Sequence, residues 1–133
     1  MFFTRETDYA IRLLRNLSED TPTSIARIAA CEHISNAIGY KVARKLEKSG
    51  LIRSTRGSAG GYRLARPLAE ITLLDVYHIM DPQSVLNECL KDGSSCPNNT
   101  EGCPCKIHGE LVRVEGILHK ALSERSLAEI LEE

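Results

Sequence analysis

Four of the five cysteines in this chain lie close together, at Cys89, Cys96, Cys103 and Cys105. The gaps between them are six, six and one residue, and His108 follows three positions after the last cysteine. Thiolate and imidazole ligands suit zinc or an iron–sulfur cluster and do not suit magnesium or calcium. Structural zinc sites usually contain cysteine pairs about two to four residues apart. The wide spacing here therefore favours a larger group, an iron–sulfur cluster.

The segment that carries these cysteines offers little apolar packing of its own. Residues 87–105 contain almost no apolar side chains apart from Leu90 and the cysteines, so we expect a disordered loop unless a bound group holds it. A zinc site or a thiol–disulfide switch remains an alternative to the cluster. Cys31 lies far from this loop, and we expect it to be a small packed side chain rather than a ligand.

Basic residues are concentrated in the first half of the chain. Residues 1–66 hold 12 Lys and Arg against 6 Asp and Glu, whereas residues 67–133 hold 5 against 12. Residues 41–66 contain eight basic side chains and a single acidic one, Glu47. This asymmetry indicates that one face of the protein meets a polyanion.

The elements that must position this charge form a helix-turn-helix followed by a basic wing. Capping residues and apolar spacing predict three helices, which run from Thr4 to about Leu17, from Ser24 to about Ala29, and from Ser35 to Lys48. Two short strands, at 51–54 and 62–64, enclose a glycine-rich loop at 56–61. A β-hairpin directly after a helix-turn-helix is the order of a winged helix.

The rest of the chain adds helices around the cysteine-rich loop. A short helix is predicted within 67–80, a long helix from Ile107, and a last helix at 127–131. The predicted fold class is mainly α with a small β-hairpin, a winged helix-turn-helix with a long C-terminal dimerisation helix. We expect a DNA-binding domain at 1–82, a cluster-binding loop at 83–105, and the dimerisation and C-terminal helices at 106–133.

The third predicted helix has the chemistry of a recognition helix, which enters the major groove and presents side chains to base edges. Its start can contact phosphates or bases, its middle can read bases, and its end meets the phosphate backbone. An arginine at the wing tip suits a narrow minor groove. The candidate DNA-binding residues are Ser35, Asn36, Tyr40, Lys41, Arg44, Lys45, Arg56, Ser58 and Arg63.

One residue of this helix is unusual for its position. A glycine inside a helix, here Gly39, costs about 1 kcal/mol relative to alanine. Either DNA approaches closely at this point or the glycine is merely tolerated.

The long helix carries a stripe that suits a second copy of the chain. Ile107, Leu111, Val114, Leu118 and Ala121 are spaced by 4, 3, 4 and 3 residues, close to a heptad seam. The stripe either packs on the chain's own core or pairs with its copy in a homodimer, and we favour the homodimer because small DNA regulators commonly read two half-sites.

Other function classes find no support in the sequence. The chain has no run of 18 apolar residues and no apolar segment of signal-peptide length at residues 1–8, so we expect a cytoplasmic protein with no membrane contact. It shows no nucleophile–base pair and no phosphate-binding loop before a helix, so we expect no enzyme. A small iron–sulfur electron-transfer protein is the alternative of another class, against which the basic segment weighs.

Three segments together resemble a known family across essentially the whole chain. They are TDYAIR at residues 7–12, GLIRSTRGSAGGYRL at residues 50–64, and the cysteine-rich loop before a long helix. The sequence is similar to the IscR/NsrR/CymR-type winged-helix transcription regulators of bacteria. This resemblance implies a homodimer that binds a double-stranded operator, with an iron–sulfur cluster whose loss, oxidation or nitrosylation changes DNA affinity.

The resemblance also implies a ligand set. Cys89 and Cys96 fall on the first two cluster positions and Cys105 on the third, while the fourth ligand is Cys103, His108 or Asp8 of the partner subunit. A histidine favours 2Fe-2S, whereas an aspartate or a fourth cysteine favours 4Fe-4S. The gaps between the cysteines are longer than is usual in the family. The loop argues against the CymR branch, which lacks a cluster.

Overall fold

The computed structural model describes residues 2–133 and consists of helices around one β-hairpin. The helices are α1 (Arg5–Leu14), α2 (Ile25–Glu32), α3 (Asn36–Lys48), α4 (Leu73–Met80), α5 (Lys106–Ser123) and α6 (Leu127–Leu131). The strands are β1 (Ile52–Thr55) and β2 (Gly61–Leu64), paired antiparallel with Ile52 opposite Leu64. Single 3-10 turns occur at Leu68–Glu70 and Glu88–Leu90. The predicted fold class, mainly α with a small winged hairpin, is confirmed.

Serine and threonine caps set the starts of the helices that form the helix-turn-helix. The Ser24 side chain accepts the Arg27 N–H at 3.3 Å at the start of α2. The Ser35 side chain accepts the Ile38 N–H at 3.2 Å at the start of α3. Such caps satisfy amide groups that would otherwise lack a partner in the first turn. Between the two helices, His33 adopts a left-handed conformation with φ 56°, which makes the turn sharp.

The first helix is shorter than its apolar pattern predicts. α1 ends at Leu14, and the backbone then tightens, with the Asn16 N–H donating to Leu13 O and the Leu17 N–H to Leu14 O. Leu17 is still buried, because the tight turn directs it into the same core. The sequence pattern reports burial correctly here, whereas the hydrogen bonds decide where the helix stops.

Helices α1, α3 and α4 build the core on which the wing and α2 rest. Buried leucine, isoleucine and valine side chains dominate it, joined by one fully buried aromatic residue, Tyr77 of α4. The fully buried apolar side chains include Leu13, Leu14, Val42, Leu46, Ile71 and Val76. Each such side chain contributes about 1.5–3 kcal/mol on burial, so this core fixes the angle between α3 and the rest of the domain.

Gly39 is explained by packing inside the domain rather than by DNA. The residue is buried, and a Cβ at this position would lie 2.8 Å from Ile25 Cγ2 of α2. The absence of a side chain lets α2 and α3 approach closely, which is a common reason for glycine in a helix interior. The structure thus gives a third reason for Gly39, which neither of the two sequence-based alternatives named.

The chain returns to its own DNA-binding domain after the long helix. Leu127 of α6 is buried, and its N–H donates to Ile71 O at 2.7 Å just before α4. An isolated bridge between Thr72 and Ser126 closes the same junction. Because the C-terminal end of α5 is connected to the domain through α6, a change in the loop before α5 can be transmitted along the helix to the domain.

The apolar stripe of α5 divides between the chain's own core and its surface. Leu111 and Leu118, two members of the predicted seam, are half-buried by the chain's own residues. Ile107 is 70% exposed and Val114 is 37% exposed, and they share their face with Ile117, which is 54% exposed. The heptad pattern alone could not separate these two roles. No helix among residues 2–133 is long and apolar enough to cross a membrane.

Candidate nucleic-acid interface and cysteine-rich loop

The outer face of α3 carries most of the predicted DNA-binding side chains. Val42 and Leu46 are fully buried, which turns the opposite face of the helix to the surface. The outward side chains include Asn36, Tyr40, Lys41 and Arg44. Tyr40 keeps 45% of its surface exposed even though it is aromatic. A large exposed side chain at the middle of a basic helix is well placed to meet a base edge or a sugar.

Two lysines of α3, Lys41 and Lys45, contact a carboxylate that the sequence pattern did not identify. Lys45 Nζ lies 2.6 Å from Glu6 Oε2, and Lys41 Nζ donates to the other carboxylate oxygen, Oε1. Glu6 is in the first turn of α1 and 35 residues from Lys41 in sequence, so only the fold brings them together. Hydrogen bonds from Lys41 and Lys45 hold the pKa of the Glu6 carboxyl below its ordinary value.

The wing is anchored at its root and open at its tip. At the root, Ser54 Oγ donates to Glu47 Oε1 of α3 at 2.8 Å, and Tyr62 exchanges two backbone hydrogen bonds with Thr23. At the tip, Arg56 and Ser58 are exposed, as their predicted role in DNA contact requires. Rigid attachment of the root fixes where the arginine of the tip is held.

Arg63 differs from the other wing residues because it is half-buried. It lies opposite Arg53 across the hairpin, and its Nε is shielded from solvent without a hydrogen-bond partner among the described residues. A phosphate oxygen is one acceptor that could satisfy this group on DNA binding.

An open cavity of about 330 Å³ lies between the wing and the helix-turn-helix. Its walls are the start of α2, Tyr40 of α3 and the two strands of the wing, including Ser24 and Tyr62. Burial raises the pKa of the Tyr62 phenol above its ordinary value. A tyrosine phenol is protonated at neutral pH and can donate a hydrogen bond.

A buried carboxylate ties α1 to the last turn of α2. The Glu32 side chain is only 5% exposed, and it accepts Arg15 Nε at 2.6 Å and Asn16 Nδ2 at 2.6 Å. The hydrogen bond from Arg15 is the main reason why the pKa of Glu32 lies below its ordinary value, and the same contact raises the pKa of Arg15. This connection sets the position of the turn before the recognition helix.

Replacing Glu32 with Gln should weaken this connection and flatten the acid dependence of stability. A carboxylate with a lowered folded-state pKa stabilises the fold above its ordinary pKa of 4.5, and the contribution disappears as pH falls through the folded value. We expect E32Q to lose about 1–2 kcal/mol at neutral pH, a value reduced because water screens the half-exposed Arg15. Urea denaturation between pH 7 and pH 3 measures both effects.

The matched control for this prediction is Glu110→Gln. Glu110 also pairs with an arginine, Arg113, but both side chains are exposed on α5. The stability of E110Q should equal that of the wild type at neutral pH. An E32Q protein as stable as E110Q, with an unchanged acid limb, would contradict the role given to Glu32.

The cysteine-rich loop forms an open cavity of about 580 Å³ beside the start of α5. Cys89, Cys96 and His108 all line it, together with residues 90–95, Asn99 and Thr100. Each of these three side chains is half-buried. The structure thus brings together three of the residues that the sequence suggested as ligands.

The other two candidates of the loop have different environments. Cys105 caps α5, with its Sγ accepting the His108 N–H at 3.4 Å and its own N–H donating to Asn99 Oδ1 at 2.9 Å. Cys105 is half-buried next to the cavity residue His108 but does not itself line the cavity, whereas Cys103 is exposed. Cys31, expected to be packed, is exposed on α2.

Asp8 lies on α1 and takes no part in this cavity. Its carboxylate is 49% exposed and accepts Arg12 Nε at 3.0 Å, one turn along the helix. The resemblance implies that Asp8 would act as a cluster ligand for the partner subunit and not within its own chain.

The donor chemistry of the cavity suits an iron–sulfur cluster. His108 Nδ1 is shielded from solvent and has no hydrogen-bond partner among the described residues, as expected of a nitrogen kept for a ligand. All five cysteines are free thiols, and thiolate is the principal ligand of such clusters. Within residues 2–133, no three His, Cys, Asp or Glu side chains lie close enough together to hold a metal ion. A cluster would therefore draw the loop inward.

A basic recognition helix and a glycine-tipped wing on a small helical core define a winged-helix regulator of transcription. The family model of Rrf2, described as an iron-dependent transcriptional regulator, matches residues 3–133. The chain belongs to this Rrf2 family and is a DNA-binding transcription regulator. This membership confirms the predicted resemblance, and it confirms that the protein is not an enzyme.

Curated relatives agree with this assignment. The chain is 33% identical over 126 residues to the HTH-type transcriptional regulator NsrR of Halalkalibacterium halodurans, a match that covers 92% of this chain and 80% of that protein. It is 34% identical over 100 residues to protein aau3 of Rhizobium meliloti, where the match covers 73% of this chain and 65% of that protein, slightly less than two thirds of its length.

Solved structures share the fold. CymR, the global cysteine regulator of B. subtilis, superposes with a TM-score of 0.77 at 19% identity, covering 96% of this chain and 94% of that chain. The IscR of T. potens superposes with a TM-score of 0.73 at 23% identity, covering 98% and 85%. At such identities the likeness extends to the architecture alone.

Proposed function

We propose that the protein is a homodimeric regulator whose affinity for its operator is controlled by an iron–sulfur cluster in the cysteine-rich loop. The observation that carries this proposal is the cavity lined by Cys89, Cys96 and His108, in which the shielded His108 Nδ1 has no partner among the described residues. The signal is redox state, nitric oxide, or the supply of iron or clusters. The proposed location is the cytoplasm.

The proposed ligands are Cys89, Cys96 and Cys105, with His108, Cys103 or Asp8 of the partner subunit as the fourth. When bound, a 2Fe-2S or 4Fe-4S cluster supplies a group that is lost or altered by oxidants and nitric oxide. Cys105 caps α5, so its recruitment as a ligand would reposition the start of that helix. The far end of α5 leads to α6, which is fixed to the residues before α4. The long helix thus joins the loop to the DNA-binding domain.

The proposed dimer uses the outer face of α5, where Ile107 and Ile117 are exposed. Two recognition helices held by paired long helices would contact successive half-sites of an operator. The division into a DNA-binding domain at 1–82, a cluster-binding loop at 83–105 and a dimerisation segment at 106–133 follows from this arrangement. The outward residues of α3 and the wing would contact DNA.

A zinc or thiol–disulfide site in the same loop is the second candidate. It is favoured by the exposed thiol of Cys103, which one residue separates from Cys105, because oxidants reach an exposed thiol first. The DNA-binding half of the proposal is the same in both cases. An electron-transfer role is set aside, since the family consists of transcription regulators.

Anaerobic purification tests the control of DNA binding. The wild-type protein should carry iron and acid-labile sulfide, absorb in the visible range, and bind a selected operator with an affinity that changes about 5- to 150-fold when the cluster is removed. Zinc without sulfide would favour the second candidate. So would the loss of the mass of two hydrogen atoms on treatment with an oxidant, which marks the formation of a disulfide, with no iron present. A colourless, metal-free protein with DNA affinity indifferent to oxidants would overturn both.

A further inference from the structure

Glu6 occupies the positions that DNA phosphates would take on two basic residues of the recognition helix. Its two carboxylate oxygens are divided between Lys41 and Lys45. The lysine side chains remain 62% and 42% exposed, so both ammonium groups are also open to a partner from solvent. Oxygen atoms of a phosphodiester would compete for the same donors, since charge-assisted contacts of lysine with carboxylate and phosphate are alike.

The contact has little to contribute to stability. Glu6 keeps 29% of its side-chain surface exposed and both lysines keep more, and ion pairs at such a surface are worth about 0–1 kcal/mol, because water screens them and long side chains must be ordered. The start of α1 does not depend on it either, since the Thr4 side chain accepts the Thr7 N–H and provides the cap. A carboxylate that the fold does not require, placed on the face that meets DNA, points to a role in binding.

We propose that Glu6 is an internal competitor for DNA phosphates at Lys41 and Lys45 and thereby limits the affinity of the recognition helix for any duplex. The inference rests on the proposed function in one respect, namely that the outer face of α3 contacts DNA. On binding, a phosphate either displaces the Glu6 carboxylate from the lysines or is repelled by its negative charge nearby. Both lower the part of the affinity that does not depend on sequence.

The test is Glu6→Gln in the full chain, with a duplex of random sequence as the probe. E6Q keeps the shape of the side chain and removes its charge. We expect affinity to rise about three- to tenfold at moderate salt and the plot of log affinity against log salt to steepen by about 1–2, since each lysine freed for a phosphate contact adds about 0.9 to the slope. Glu110→Gln, the same charge change on α5 next to Arg113, should alter neither quantity.

Variants of the two lysines distinguish a failure of the competitor role of Glu6 from a failure of the proposed DNA contact by α3. Lys41→Gln with Lys45→Gln should weaken binding and reduce the slope, and adding E6Q to that pair should then raise affinity less than it does in the wild type, because only the repulsion of its charge remains to be removed. Weaker binding by the lysine pair together with unchanged or reduced affinity of E6Q would overturn the competitor role and leave the DNA face intact. Unchanged binding by the lysine pair would show that these lysines do not contact DNA, and both proposals would fail at this position.

Discussion

Replacing Cys96 by Ala is expected to remove the visible iron–sulfur absorption of the anaerobically purified protein. Cys96 lines the loop cavity with Cys89 and His108. A cluster needs each thiolate of its ligand set, so the loss should be complete rather than graded. C89A and C105A should behave in the same way. Absorption, iron content and sulfide content measure the result.

Variants of the remaining cysteines and of the fourth-ligand candidates make this prediction specific. Cys31→Ala is the matched control, because that thiol is exposed on α2 and far from the loop in sequence. It should keep the full complement of iron. Among Cys103→Ala, His108→Ala and Asp8→Ala, one variant should lose or strongly destabilise the cluster while the other two retain it. Full iron and sulfide in C96A would rule out the proposed site.

The cysteine substitutions should also change the affinity of the protein for its operator. C96A should bind DNA as the cluster-free wild type does, and it should no longer respond to oxidants. Because the buried core of the DNA-binding domain contains no residue of the loop at 83–105, the substitution should leave the folding of residues 1–82 unchanged. Equal thermal stability of the cluster-free wild type and C96A would verify that condition.

The sequence predicted those features that depend on local pattern. Ser24 and Ser35 identified the starts of α2 and α3 because a capping side chain acts within its own first turn. The alternation of strand residues around a glycine-rich loop identified the wing for the same reason. The cysteine spacing identified the loop, and the structure then brought Cys89, Cys96 and His108 around one cavity.

Features that depend on distant contacts were missed or misread. The contact of Glu6 with Lys41 could not be predicted, since nothing local indicates a partner 35 residues away in sequence. The reason for Gly39 stayed open between a close approach of DNA and mere tolerance, because the packing of Ile25 against it is visible only when α2 and α3 are in place. Leu111 and Leu118 share a heptad spacing with Ile107, and only the position of α4 shows that the leucines face inward.

Replacing Gly61 by Ala is expected to detach the root of the wing from the helix-turn-helix. A Cβ at this position would lie 2.4 Å from Thr23 O and 2.8 Å from Ser24 N, which are backbone atoms that cannot rotate away. The backbone of Gly61 also has φ 156°, a conformation that residues with a side chain rarely adopt. The added methyl group must therefore separate the root of the wing from the start of α2.

We expect G61A to lose about 3 kcal/mol of stability and to bind DNA at least about tenfold more weakly. The Thr23–Tyr62 hydrogen bonds sit at the point of separation, so the tip with Arg56 would no longer be held beside α3. Gly57→Ala provides the control, because Gly57 has φ 110° but no atom within 4 Å of an added Cβ. It should suffer backbone strain alone, about 1 kcal/mol. Equal losses in the two variants, measured by urea denaturation, would show that the contact with Thr23 does not fix the wing.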